Sequence, residues 1–214
     1  HGTQSNPSNQ PTYSNNSLGG NAVVTFDGVD DYLAHNSLGT TETATLIVLL
    51  RIHSVDSQWE TIFGTDGSWQ ANSGETHLLL YRNLANGNIR ANWATSISDQ
   101  STDNKFSGIF SSINEWLILT AVIDRNSFNF YSNGSDFGSG EKVDFNNNFT
   151  NFRIGSWYNL STNGRFFDGD IAEMILYGSA LDNINRQKIE GYLAHKWNLA
   201  SELPSDHPYK NSAP

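Results

Sequence analysis

The segment from Arg165 to Trp197, RFFDGDIAEMILYGSALDNINRQKIEGYLAHKW, decides how the rest of the chain must fold. Ile171, Met174, Leu176 and Tyr177 give a short apolar run that reads as a strand. Gly178, Ser179 and Ala180 break the run, and Asp182 stands where it can cap a helix. Ile184, Ile189, Leu193 and Trp197 then fall at spacings that share one helical face. An apolar helix face needs an apolar surface to lie on. In a chain otherwise built of strand-like runs, only the sheet body can supply one.

Outward from that unit the strand signals repeat. AVVTF begins at Ala22, and FDGVDDYLAHN follows with a turn at Asp27 and Gly28. TLIVLLRI, Thr45 to Ile52, is a near-continuous apolar run, as expected of a strand buried on both faces, and WLILTAVI from Trp116 is a second. Trp59 to Phe63 and Leu78 to Tyr81 add two more candidates, separated by the Gly- and Ser-rich segment 64–74. LLLYR and NIRANW, joined by Asn83 to Gly87, read as a hairpin with an Asn-Gly turn, and FNFYSNGSDFG carries another. Phe152 to Trp157 leads through a loop at 159–164 back to the starting segment. His1 to Gly20 is polar and reads as a flexible arm or linker, which leaves 21–214 as one domain with its helix and a tail from Leu203 lying extended on the surface. No repeat of fixed period is present. The pattern predicts an all-β fold: a two-sheet antiparallel sandwich with a short C-terminal helix.

Composition narrows the function. With 18 Gly, abundant Asn and Ser and only 16% charged residues, the chain has the profile of strands joined by polar turns rather than of a helical bundle. It lacks cysteine, which excludes a disulfide framework and thiolate metal sites. A formal net charge of −10 argues against nucleic acid and anionic membranes as partners and fits neutral glycans, cations or plain solubility. No run approaches the length of a membrane-spanning helix, so no membrane insertion is expected. No signal peptide is evident, which suits a mature product or an excised module. Asn-x-Ser/Thr acceptors at Asn15, Asn133, Asn148 and Asn159 are expected by chance in so Asn-rich a chain.

FDGVDDYL, Phe26 to Leu33, and FDGDIAEMILYGSALDNINRQKIEGYLAHKWNL, Phe167 to Leu199, resemble the laminin-G-like, concanavalin A-like lectin/glucanase superfamily, in the version found in secreted bacterial proteins and adhesins. EWLILTAVIDRNSFNFYSNG and the LPSDHPY tail fit the same pattern, so the resemblance runs from about Ala22 to the end of the chain. It implies a jelly-roll sandwich whose two terminal segments lie side by side, and an extracellular or cell-surface location. It also implies a calcium ion between the N-terminal turn and a C-terminal strand, with Asp27, Asp30, Asp31, Asp168 and Asp170 as candidate ligands. Six to eight oxygens are what a hard cation of that size needs. The plain alternative is that Asp27-Gly28 and Asp168-Gly169 are turns whose carboxylates satisfy their own backbone.

Glycan recognition needs aromatic faces for sugar rings and polar forks for hydroxyl groups. Trp116 and Trp197 belong to apolar runs and read as core. Trp69, Trp93, Trp157 and Tyr158 lie beside polar loops, as does Trp59, and Tyr81, Arg82, Arg90 and Asn92 sit on the expected hairpin; with Trp93 they are the candidate ligand-binding set. A hydrolase would need two facing carboxyls. The Glu-x-Asp-x-x-Glu strand of the laminarinase-type branch is absent, Asp170 and Glu173 would point to opposite faces of a regular strand, and Glu60, Glu75 and Glu115 stand alone. The alginate-lyase signatures are missing too, and His35, His53, His77, His195 and His207 show no metal-ligand spacing. A copper site built on an N-terminal His1 is disfavoured by the fold resemblance. The expectation is a non-catalytic, calcium-stabilised carbohydrate-binding module that takes a polysaccharide or glycan. The alternatives are a peptide- or protein-binding adhesin module, or a polysaccharide-active enzyme with an unrecognised catalytic pair.

Overall fold

The computed structural model describes residues 2–35, 39–54, 59–64, 77–82, 89–94, 113–125, 127–141, 147–148, 151–157 and 165–214, with backbone alone at 16, 40, 59, 77–82, 89–94, 140–141 and 147–148. Fourteen strands are described in these residues: β1 (Thr12–Leu18), β2 (Asn21–Asp27), β3 (Leu33–Ala34), β4 (Thr40–Thr41), β5 (Thr43–Ile52), β6 (Trp59–Gly64) and β7 (His77–Arg82) in the first half, then β8 (Ile89–Ala94), β9 (Trp116–Asp124), β10 (Ser127–Ser132), β11 (Ser135–Glu141), β12 (Asn147–Asn148), β13 (Arg153–Ile154) and β14 (Asp168–Tyr177). One α-helix, α1 (Asn183–Lys196), follows. Seven strands form one sheet in the order β1-β2-β14-β5-β9-β10-β11, and five form another in the order β3-β13-β6-β7-β8, with β4 and β12 as a separate pair. The pairings are antiparallel throughout. The expected sandwich with a C-terminal helix is the fold.

The long apolar runs are buried on both faces, and β5 shows why. Its even-numbered residues Leu46, Val48, Leu50 and Ile52 meet Phe63, Phe128, Phe130, Phe152 and Phe167 between the two sheets. Its odd-numbered Ile47 and Leu49 face the other way, onto Leu193, Ala194, Trp197 and Leu203. The seven-stranded sheet is therefore the middle layer, with the smaller sheet on one face and α1 with its tail on the other.

Three expectations are corrected. The arm at 1–20 is no linker: Thr12–Leu18 pairs with β2, and the stretch before it is bound to the loop after β2. Thr3 and Ala34 exchange backbone hydrogen bonds of 2.8 and 2.9 Å, Tyr32 donates its amide to the Asn9 carbonyl, and Asn9 Nδ2 donates to the Asp30 carbonyl. Ile184 does not share the buried helix face: it is 66% exposed, whereas Arg186, Glu190, Gly191, Leu193 and Ala194 are buried. Asp182 does cap the helix, its carboxylate accepting the Asn185 amide at 2.8 Å. The tail is not an extended surface strand either. It follows a 3-10 turn at Ala200–Glu202 and buries Leu203 and His207.

Candidate functional site

The acids singled out from the sequence separate into two groups at one end of the seven-stranded sheet. Asp27 closes β2, and Gly28 turns the chain with φ +74°, where a Cβ would stand 2.8 Å from that of Asp168. Asp27 Oδ1 accepts the amides of Val29 (2.8 Å) and Asp30 (3.3 Å), so the turn-capping reading holds for that oxygen. Asp31, nearly buried, accepts the Asp27 amide at 3.1 Å through Oδ2. Asp27, Asp30 and Asp31 nevertheless bring one carboxylate oxygen each within 4.8 Å of the others. Burial and the charge of Asp27 push the Asp31 carboxyl up, a repulsion that a bound cation relieves. An all-oxygen, threefold anionic set of this kind suits calcium or another hard cation, and these three residues could hold one.

Asp168 and Asp170 have different partners. Asp168 stands opposite Asp27 in the β2–β14 pair, and its Oδ1 lies 3.5 Å from His53 Nδ1. Asp170 is buried and fully engaged. Thr25 Oγ1 donates to Oδ1 at 2.6 Å, while Arg51 Nε (2.8 Å), Arg51 Nη2 (2.6 Å) and His53 Nε2 (2.8 Å) converge on Oδ2. Burial alone would raise its carboxyl, but the hydrogen bonds from Thr25, Arg51 and His53 outweigh burial and hold it below its ordinary value. Asp170 thus leaves the ligand set: it is the anchor of a polar network across β2, β14 and β5, and no spacing along the chain reveals Arg51 and His53 as its partners.

Asp170 and Glu173 do not point to opposite faces. The register of β14 against β5 shifts between Ile171 and Glu173, a bulge that carries both carboxylates to the helix-covered face. There Glu173 Oε2 accepts Trp197 Nε1 and Lys196 Nζ, each at 2.7 Å. Glu60 is buried and accepts the Asp168 amide at 3.3 Å, and Glu115 is exposed.

The aromatic set divides as well. Trp69 and Tyr158 lie outside the described residues. Trp157 is 2% exposed with the Arg165 guanidinium over its ring at 4.5 Å, so it is a core residue and not a displayed platform. The expected hairpin is present as β7 and β8, but its residues do not share one face. Leu78 stands opposite Trp93 and next to the core residue Phe63, whereas Tyr81 stands opposite Arg90 and Leu79 opposite Asn92. Alternation therefore puts positions 82 and 93 on the core side of the sheet and positions 81, 90 and 92 on the other. Trp59, opposite Tyr81 on β6, joins the latter group, so that Trp59, Tyr81 and Arg90 form one row across three strands.

A family model described as concanavalin A-like lectin/glucanases superfamily, of the laminin G 3 kind, matches residues 26–183. The chain belongs to this superfamily. Among solved structures, this superfamily member is similar to the heptameric SAP-like pentraxin of Limulus polyphemus (14% identity, TM-score 0.61, covering 78% of this chain and 80% of that one). It is equally similar to domain 4 of AbnA, a GH43 extracellular arabinanase of Geobacillus stearothermophilus in complex with arabinotriose (17%, TM-score 0.61, covering 86% and 82%). A putative carbohydrate-binding protein of Bacteroides ovatus aligns at 15% identity and TM-score 0.52, over 78% of this chain and 49% of that one. No curated protein sequence matches. The acidic turn and β14 fall inside the superfamily match, whereas nearly all of α1 and the whole tail lie beyond it. Among the described residues no helix is long and apolar enough to cross a membrane.

Proposed function

We propose that the chain is a non-catalytic carbohydrate-binding module of a secreted or cell-surface protein, with calcium held at Asp27, Asp30 and Asp31. The observation that carries this reading is the cross-strand register that sets Trp59, Tyr81 and Arg90 in one row, flanked by Asn92, on the five-stranded sheet. Aromatic residues at 59 and 81, with Arg90 and Asn92, are the residue types that sugar rings and their hydroxyl groups require. Thr61, which shares this face, is fully buried, so the face is covered at that point. Similarity to an arabinotriose-bound domain supports a glycan as the ligand class. A hydrolytic role finds little support in Asp170 and Glu173, since both carboxylates are engaged by cationic or indole donors.

A glycan-array screen of the folded chain, in calcium and again in chelator, tests the reading. Binding to one sugar class that weakens at least about tenfold in Tyr81→Ala and Arg90→Ala, at unchanged thermal midpoint, supports it. A blank array with folded protein in both conditions overturns it in favour of a peptide or protein ligand.

A further inference from the structure

The segment after α1 is held down by buried charges that take no part in the site above. Arg186 and Glu190, one turn apart, have side chains 5% and 0% exposed and meet at 2.5 Å through Nη1 and Oε2. Thr120 on β9 donates to Glu190 Oε1 at 2.9 Å, and the Arg186 guanidinium lies 3.6 Å from the ring centre of Tyr131 on β10. Both carboxylate oxygens are engaged, and the charge of Glu190 is matched one for one.

His207, from the tail, completes the group with a side chain 1% exposed. Its Nδ1 accepts the Tyr209 amide at 3.3 Å, so its single proton belongs on Nε2. Nε2 faces Glu190 Oε2 at 3.7 Å, too far for a hydrogen bond, and has no other partner among the described residues. The ring is pressed against the β10–β11 turn, where a Cβ on Gly134 would come within 2.8 Å of Cδ2. A second proton can bind only at Nδ1. It would set N–H against the N–H of Tyr209 and place a second cation beside Arg186, around a carboxylate already paired. Exposed Asp206 pulls the other way, and Asp136 on β11 acts on Tyr131. Burial first, then the Arg186 charge, push the imidazole below its ordinary 6.5.

We propose that Asn198 to Pro214 form an acid-released clasp: protonation of His207 undocks the tail from α1 and from the β10–β11 turn. The contacts that would part with it are the Tyr209 carbonyl on His195 Nε2 (2.9 Å), the packing of Tyr209 on Gly191, and the packing of Leu199 and Leu203 in the cluster with Ile47 and Leu49. Lys210 Nζ, which donates to the carbonyls of Ser201 (2.6 Å) and Leu203 (2.5 Å), stays within the tail. A histidine depressed in the closed state favours closure above pH 6.5, and that contribution is lost as pH falls below 6.5 through the closed-state value. Each unit of depression is a factor of about ten in the closed-to-open ratio. Glu190 acts in the opposite sense. Burial raises its carboxyl above 4.5, so its contribution to closure is present at low pH and lost as pH rises through the raised value.

Hydrogen exchange of the tail amides, corrected for intrinsic rates and read from about pH 7.5 to about pH 5.5, is the test. Protection at Tyr209 and its neighbours should fall relative to Leu46–Leu50, by up to about tenfold over this range for a single histidine, and should stay level in His207→Gln; Glu190→Gln should retain the fall. An equal fall in His207→Gln overturns the proposal. So does an NMR titration of the wild-type His207 ring with a midpoint at or above 6.5, and that measurement decides alone if His207→Gln leaves the tail undocked at every pH.

Discussion

Gly191 sits inside α1, where alanine would ordinarily stabilise the helix by about 0.8–1 kcal/mol. Its surroundings reverse that expectation. A Cβ at 191 would stand 2.5 Å from Cβ of Tyr209, 2.9 Å from its Cγ and 3.1 Å from its Cδ2. The nearest atom is fixed to the tail backbone, so the ring cannot simply swing away and the tail itself must shift. Overpacking of this kind costs about 1–3 kcal/mol. Set against the helix gain, Gly191→Ala should destabilise the intact chain by about 0–2 kcal/mol. A chain ending at Pro204 keeps the buried Leu203 but removes Tyr209, and there the same substitution should stabilise by about 1 kcal/mol. Urea denaturation of the four proteins gives the coupling between residue 191 and the tail, expected at about 1–3 kcal/mol, provided the m-values agree within each pair. Equal midpoint shifts in the two backgrounds would refute the docking of Tyr209 on the helix.

Other outcomes follow from the anchors and the site. Asp170→Asn should cost about 1–3 kcal/mol near neutrality, discounted because Arg51 and His53 are about a third exposed. A depressed carboxyl contributes stability that is present above 3.8 and lost as pH falls through its folded value, so denaturation midpoints of the variant should decline less steeply below about pH 4. Excess calcium should raise the thermal midpoint, with about 2.7 kcal/mol gained at a hundredfold excess over Kd, and the pair Asp30→Asn and Asp31→Asn should abolish the rise in a scan with and without chelator. Trp157→Ala should lose about 3–5 kcal/mol of stability because the ring is buried, whereas Tyr81→Ala should stay within about 0.5 kcal/mol of wild type in the same melt while weakening glycan binding.

Long apolar runs made the layers legible. TLIVLLRI could only be a strand covered on both sides, and both its cover layers exist. TYSNNSL, by contrast, is an edge strand whose polar side chains carry no alternation, so nothing but its partner β2 reveals it. The helix was found from its cap, yet its buried face holds Arg186 and Glu190, which hydropathy assigns to solvent; their i,i+4 spacing was the available signal. Trp157 and Asp170 were placed by their neighbours in sequence, a polar loop and a glycine turn, while their burial is set by Arg165 and by Arg51 and His53 from elsewhere in the chain. Position on a pleat also decided the hairpin set. A change from even to odd numbering separates Arg82 from Tyr81 more completely than any distance along the chain.

A strand greasy on both sides has no hydrophobic reason to choose one alignment over the next. Sliding β5 by one residue against β9 would exchange its two faces at little loss of apolar burial. The choice falls to a few polar marks along its length. Thr45 Oγ1 donates to the Ser179 carbonyl and accepts the Leu181 amide, each at 2.9 Å, at one end. Arg51 meets Asp170 at the other, and Thr120 of the neighbouring strand points to Glu190. Replacing those marks with aliphatic residues would keep the core as oily as before and remove the vernier that aligns it, so the damage would surface as misaligned, slowly resolving sheets during folding more than as a lower melting point.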